Sequence, residues 1–211
     1  MNESSLLRTV QQLEQRIEFL ESQDILFEAY EDLRVPMTSF KLGSANDPDF
    51  AVWKTNGGGS QGIYTWYFDD STEEELFFAA QLPHGYNEAT DIYPHVHWFP
   101  TANGTAGQVV AWGLEYVWAN LGATTSANTT IISANTPTPD DDPLVANRHY
   151  LTSLDTISGS GKGISSMLVC RLFRDATGAL DTDDYAADVG LLEFDFHYHV
   201  NSLGSRTELA K

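Results

Sequence analysis

Hydrophobic and polar residues follow two different periods along this chain, and the change falls near residue 28. Before it, Leu6, Val10, Leu13, Ile17 and Leu20 recur at alternating spacings of 4 and 3. With Val10 and Ile17 at position a, and Leu6, Leu13 and Leu20 at d, they make an unbroken heptad seam. Gln, Glu, Arg and Ser stand around the seam, residues that favour a helix or accept solvent. The spacing predicts a helical segment over residues 1–28. A helix this short is marginal in water unless something covers its apolar stripe, so the stripe points to pairing with copies of itself.

From residue 29 to residue 211 the period shortens to that of strands. Apolar, aromatic and β-branched runs alternate with clusters of Gly, Asn, Asp, Pro and Ser. Ten runs read as strands: 30–42, 50–54, 62–68, 75–82, 91–99, 108–118, 129–132, 149–157, 163–173 and 190–200. Many strands without intervening helices predict an all-β fold, an antiparallel jelly-roll-like sandwich behind a short N-terminal α-helical coiled coil. An immunoglobulin-like sandwich is the second choice. Pro94 inside a strand-like run predicts an edge strand or a bulge there.

The number of helices in the coil rests on two opposed signals. β-branched residues at a with Leu at d lean towards two strands. Against that, Arg16-Ile17-Glu18-Phe19-Leu20-Glu21 resembles the Arg-h-x-x-h-Glu motif of short three-stranded coiled coils. There the Arg packs its stem over the core and reaches the Glu of a neighbouring chain. The favoured reading is a homotrimer held by Leu6, Val10, Leu13, Arg16, Ile17, Leu20 and Glu21. A dimer, or one helix lying on its own domain, are the alternatives.

Composition narrows the partners. The chain has 211 residues, with 30 Asp plus Glu against 11 Lys plus Arg, for a formal charge of −19. A nucleic acid would be repelled, and no basic cluster offers a local exception. No apolar run reaches the length of a bilayer, and the N-terminus lacks a signal-peptide pattern, so no membrane partner is expected. The one cysteine, Cys170, sits in an apolar run and reads as a buried small hydrophobe.

Four of the six histidines form two His-x-His pairs, His95/His97 and His197/His199. Residues i and i+2 of a strand share a face, so each pair presents two imidazoles to one side. Were the two strands neighbours, four nitrogens would converge with Asp195 and Glu193 nearby, as a zinc, iron or manganese site requires. Pairing with carboxylates or lining a subunit interface are the competing roles. The pairs are similar in part to those of cupins, but no Glu follows His97 at the cupin spacing. His197 and Asn201 keep the second cupin spacing without its Pro and Gly, so no catalytic role transfers. Gly-x-Ser-x-Gly, a phosphate loop and Cys-x-x-Cys are all missing, and the chain reads as a non-enzyme without cofactor. The acidic clusters, Asp181 to Asp184 among them, read as solvated turns.

Gln81-Leu82-Pro83-His84-Gly85-Tyr86, followed by Ala89-Thr90-Asp91-Ile92-Tyr93-Pro94-His95-Val96-His97-Trp98, resembles a pattern in structural proteins of tailed-bacteriophage virions. That resemblance implies a trimeric jelly-roll capsid decoration protein, of cement or head-fibre type. Its partners would be itself and the major capsid protein or other virion proteins, and its place the virion, after synthesis in the host cytoplasm. A tail or neck fibre or receptor-binding protein is the alternative, and a cupin-like metal-binding enzyme the second.

Overall fold

Each of the ten apolar runs forms a strand, and the ten sort into two antiparallel sheets stacked as a sandwich. The structure, a computed structural model, describes residues 9–17, 29–43, 45–136, 142–208 and 210. In chain order the strands are β1 (Ala29–Pro36), β2 (Asp49–Lys54), β3 (Ile63–Phe68), β4 (Glu75–Gln81) and β5 (Ile92–Pro100). They continue as β6 (Ala111–Ala119), β7 (Thr130–Asn135), β8 (Tyr150–Ser153), β9 (Met167–Arg174) and β10 (Val189–Val200). One sheet runs β2-β3-β10-β5-β8, with β1 also on β10; the other runs β4-β9-β6-β7. A helix over residues 9–17 precedes them.

β10 is the spine of the larger sheet. One of its edges pairs with β5 from Val189 to Tyr198, and its other edge is shared end to end by β3 and β1. Strict alternation would turn Leu191 and Glu193 to the same side. The register shifts between them, leaving Leu192 as an extra residue. This bulge resets the parity, so that Leu191, Phe194, Phe196, Tyr198 and Val200 are all buried. Glu193, Asp195, His197 and His199 take the opposite face.

Aromatic contacts across the sandwich join the two inner faces. Phe78 of β4 lies 5.0 Å from Phe194, and Phe68 of β3 lies 5.0 Å edge-on to Trp112 of β6. Burying each such side chain contributes about 1.5–3 kcal/mol. Cys170 lies in this core, where burial pushes its thiol pKa up.

Three local expectations are corrected. The first strand stops at Pro36, where a single 3₁₀ turn (Met37–Ser39) begins, instead of running to residue 42. β5 is an interior strand, between β10 and β8, and carries no bulge. Pro94 is tolerated there because its carbonyl accepts from Leu154 N–H, just past Ser153, where β8 ends. A residue's N–H and C=O point to the same side of a strand, so the donor that Pro94 lacks falls where the ladder has stopped. The acidic turn at residues 181–184, finally, is not wholly solvated.

Asp183 of that turn has a side chain only 1% exposed, and it holds the fully buried guanidinium of Arg174. Nε and Nη2 of Arg174 each donate to one Asp183 oxygen at 2.9 Å. The remaining donors reach backbone carbonyls of Tyr185 (2.7 Å), Ala187 (2.8 Å), Asp69 (3.2 Å) and Phe68 (3.4 Å). Asp175, also fully buried, accepts from the N–H groups of Ala179, Leu180 and Asp181. Asp183→Ala strands the buried guanidinium and is expected to cost about 3–5 kcal/mol in urea unfolding. Thr182→Ala, one residue away and exposed, is expected to stay within about 0.5 kcal/mol of the parent.

Candidate functional site

Two features carry chemistry beyond the core: the N-terminal helix and the outer face of β5 and β10. All nine helical residues 9–17 are exposed, Arg16 among them. The seam residues Val10, Leu13 and Ile17 are 44%, 55% and 52% exposed. Leu6, Leu20 and Glu21, the rest of the seam and its partner acid, lie outside the described residues.

The two His-x-His segments sit on adjacent antiparallel strands. In the register of β5 and β10, His95 stands opposite Asp195, His97 opposite Glu193, and Tyr93 opposite His197. β1 places Asp32 beside His197 and Tyr30 beside His199, while β8 places Ser153 beside His95. Five of the chain's six histidines meet on this face, because His149, just before β8, joins the two pairs.

Two runs of polar contacts cross the face, one through His149, His97, Asp195 and His95 and the other through His197 and Asp32. His149 Nε2 lies 2.8 Å from His97 Nδ1, and His97 Nε2 lies 2.8 Å from Asp195 Oδ2. Asp195 Oδ1 lies 3.2 Å from His95 Nδ1, off the line of a good hydrogen bond. The His95 ring is 5.7 Å from the His197 ring, and His197 Nδ1 is 2.6 Å from Asp32 Oδ1. Tyr30 stacks on His197 at 4.6 Å and 17° and touches His199 at 4.0 Å. Arg34 forks onto Glu193 at 2.5 and 2.6 Å. Tyr30, Tyr93, His95, Ser153, Leu154, Thr156 and His197 line an open groove of about 320 Å³.

The four imidazoles of the two pairs do not close on one point. His97 turns to Asp195 and His149, while His95 and His197 face each other across the groove. Among the described residues, the set of three ligand groups whose donor atoms lie within 4.8 Å of one another is elsewhere, at Asp69, Asp70 and Asp188.

Asp195 organises this face electrostatically. Its side chain is 7% exposed. Burial raises its pKa, but the contacts with His95 and His97 more than offset this and hold it at about 2. In return, the bond to Asp195 raises the pKa of His97 against the opposing effect of burial. Burial, and then the charge of His97, lower that of His149. Of the two rings in contact, His97 therefore holds a second proton more strongly than His149 does. Because the His97 pKa is raised on folding, its contribution to stability is full below the ordinary histidine pKa. That contribution is lost as pH rises through the raised value. The Asp195 contribution runs the other way, present above the ordinary carboxylate range and lost as pH falls towards 2.

His149, Asp32, Tyr30 and Tyr93 were not legible as site residues. His149 precedes a four-residue strand with no motif around it, and Asp32 and Tyr30 join the face only through the pairing of β1 with β10.

Neither a family model nor a curated protein matches the chain. Among solved structures it is similar to the CBM22-1–GH10 modules of the Clostridium thermocellum endo-1,4-β-D-xylanase 10B complexed with xylohexaose. That likeness is 10% identical with a TM-score of 0.40, covering 85% of this chain and 30% of that one. It is similar to TmCBM61 in complex with β-1,4-galactotriose at 14% identity and a TM-score of 0.32, covering 82% and 88%. The enzymatically active domain of bacteriophage CBA120 tailspike protein 4 matches at 6% identity and a TM-score of 0.29, covering 81% of this chain and 19% of that one. These likenesses are distant.

Removal of the carboxylate by Asp195→Asn is expected to lower the His97 pKa, because the bond that raises it is lost while burial remains. Imidazole NMR titration between about pH 5 and 8 follows each ring separately. An unchanged His97 midpoint would show that Asp195 does not set its charge.

Proposed function

We propose that this protein is a homotrimeric structural protein of a virion, a jelly-roll decoration protein of cement or head-fibre type on the capsid. Three N-terminal helices form a short coiled-coil stem, and three sandwiches surround it. The observation that carries this reading is the exposure of Val10, Leu13 and Ile17 on a helix all of whose described residues face solvent. A helix of this length does not persist in water with an uncovered apolar stripe, and identical helices cover it by knobs-into-holes packing. Arg16 stands at the position from which the three-stranded motif reaches a neighbouring chain.

The virion assignment rests on the Gln81–Trp98 pattern, which spans the end of β4 and most of β5. The formal charge of −19 suits a soluble, outward-facing coat and argues against contact with the packaged nucleic acid. Many symmetric copies on a shell multiply a weak contact with the capsid protein into firm attachment.

Native mass spectrometry at neutral pH is expected to give three times the chain mass of 23.4 kDa. The double substitution Leu13→Asp, Ile17→Asp is expected to give monomers with an unchanged β-sheet circular dichroism spectrum, and to abolish binding to undecorated capsids. A variant that still trimerises, or a parent protein that is monomeric or dimeric, overturns the role given to the stem.

A further inference from the structure

We propose that the groove between β5 and β10 binds a divalent transition-metal ion through Nε2 of His95 and Nε2 of His197. Each imidazole already has its Nδ1 beside a carboxylate: His95 at 3.2 Å from Asp195, and His197 at 2.6 Å from Asp32. Imidazoles that ligate metals are commonly oriented by a carboxylate on the other ring nitrogen, which fixes the tautomer and raises ligand basicity. The bond to Asp32 engages Nδ1 of His197, and Nδ1 of His95 lies on the side of Asp195; each ring thus has Nε2, the nitrogen away from its carboxylate, as ligand atom, and both rings line the same groove.

The spacing fits one ion. With metal–nitrogen bonds of about 2.0–2.1 Å and tetrahedral angles, two imidazoles on one ion have ring centres about 5–6 Å apart. The His95 and His197 centres are 5.7 Å apart. The other histidine pair does not fit in this way. His97 Nδ1 and His149 Nε2 are 2.8 Å apart, a hydrogen-bond distance shorter than the roughly 3.3 Å between two nitrogens on one tetrahedral ion. Stacking of Tyr30 on His197 holds that ring in plane. The groove leaves the remaining coordination positions to water, and nitrogen ligands select zinc, copper or nickel over magnesium or calcium. This site is independent of the stem, so its test succeeds or fails whatever the number of subunits.

Zn²⁺ is titrated into the full chain by calorimetry, with histidine ring nitrogens followed by long-range ¹H–¹⁵N NMR. One ion per chain is expected, with the Nε2 resonances of His95 and His197 moving and their Nδ1 resonances nearly still. Asp32→Asn, on an exposed carboxylate that orients His197 without touching the ion, is expected to weaken binding about 10–100-fold. His95→Gln and His197→Gln each abolish the one-to-one isotherm, whereas His199→Gln leaves it unchanged. Circular dichroism identical to the parent shows that each variant is folded. Absence of binding, retention of binding in the His95 and His197 variants, or shifts confined to His97 and His149 would overturn the proposal.

Discussion

The sandwich depends on one buried cation. Arg174 closes β9, and its guanidinium, inaccessible to water, is matched by the two oxygens of Asp183 and by four backbone carbonyls. An unpaired charge in that position would be prohibitive, so the arginine dictates the path of everything it touches. Phe68 ends β3 in one sheet and Asp69 follows it, and Arg174 itself belongs to the other sheet. Tyr185 and Ala187 belong to the segment that carries the chain into β10. The ion pair thus ties both sheets to the start of the central strand, and the Asp183 carboxylate also accepts from Ala111 N–H at the start of β6.

Asp195 is another buried charge, and it is handled differently. Arg174 is satisfied from all sides by one carboxylate and four backbone carbonyls, all of them held by the surrounding chain. Asp195 instead faces the imidazoles of His95 and His97, and its bond to His97 raises the pKa of that ring. The same strand therefore carries a core face set by apolar burial and an outer face whose charge follows the medium. The bulge at Leu192 makes both possible. Without it, the aromatic residues and the Asp195–His197–His199 series would exchange sides, putting titratable groups into the core.

The fold was legible because each strand announces itself locally. Alternation in β5 and β10 puts Ile92, Val96 and Trp98, and likewise Phe194 and Phe196, on the face opposite the histidines, and all five are buried. Strand pairing was not legible, because it joins residues far apart in the chain; His97 and Asp195 are separated by 98 positions. The same distance hid the burial of Asp195, which alternation alone places on an outer, wet face. Asp183 was read as solvated since its acidic neighbours are polar, yet the partner that buries it stands nine residues earlier. Pro94 was read as an edge marker because a missing donor is costly inside a ladder. The cost is avoided by the shortness of β8, a property of another segment altogether.

Assembly and solubility pull against each other in this chain. A formal charge of −19 keeps copies apart in solution, and a trimer gathers three such charges around one axis. Attraction between copies must then come from a surface where charge is sparse and apolar area is exposed. Val10, Leu13 and Ile17 supply such a surface at one end of the chain, while the acidic turns lie on the sandwich. Segregating attraction on a stem and repulsion on the body makes association directional. In the proposed trimer, contact along the seam would bring the helices together, and repulsion between the bodies would disfavour any packing that presses one sandwich face against another. Dissolved salt screens the repulsion far more than it affects apolar burial, so the balance shifts towards association as ionic strength rises. The acidity that would repel a nucleic acid would also restrict how copies of the chain meet in the proposed trimer.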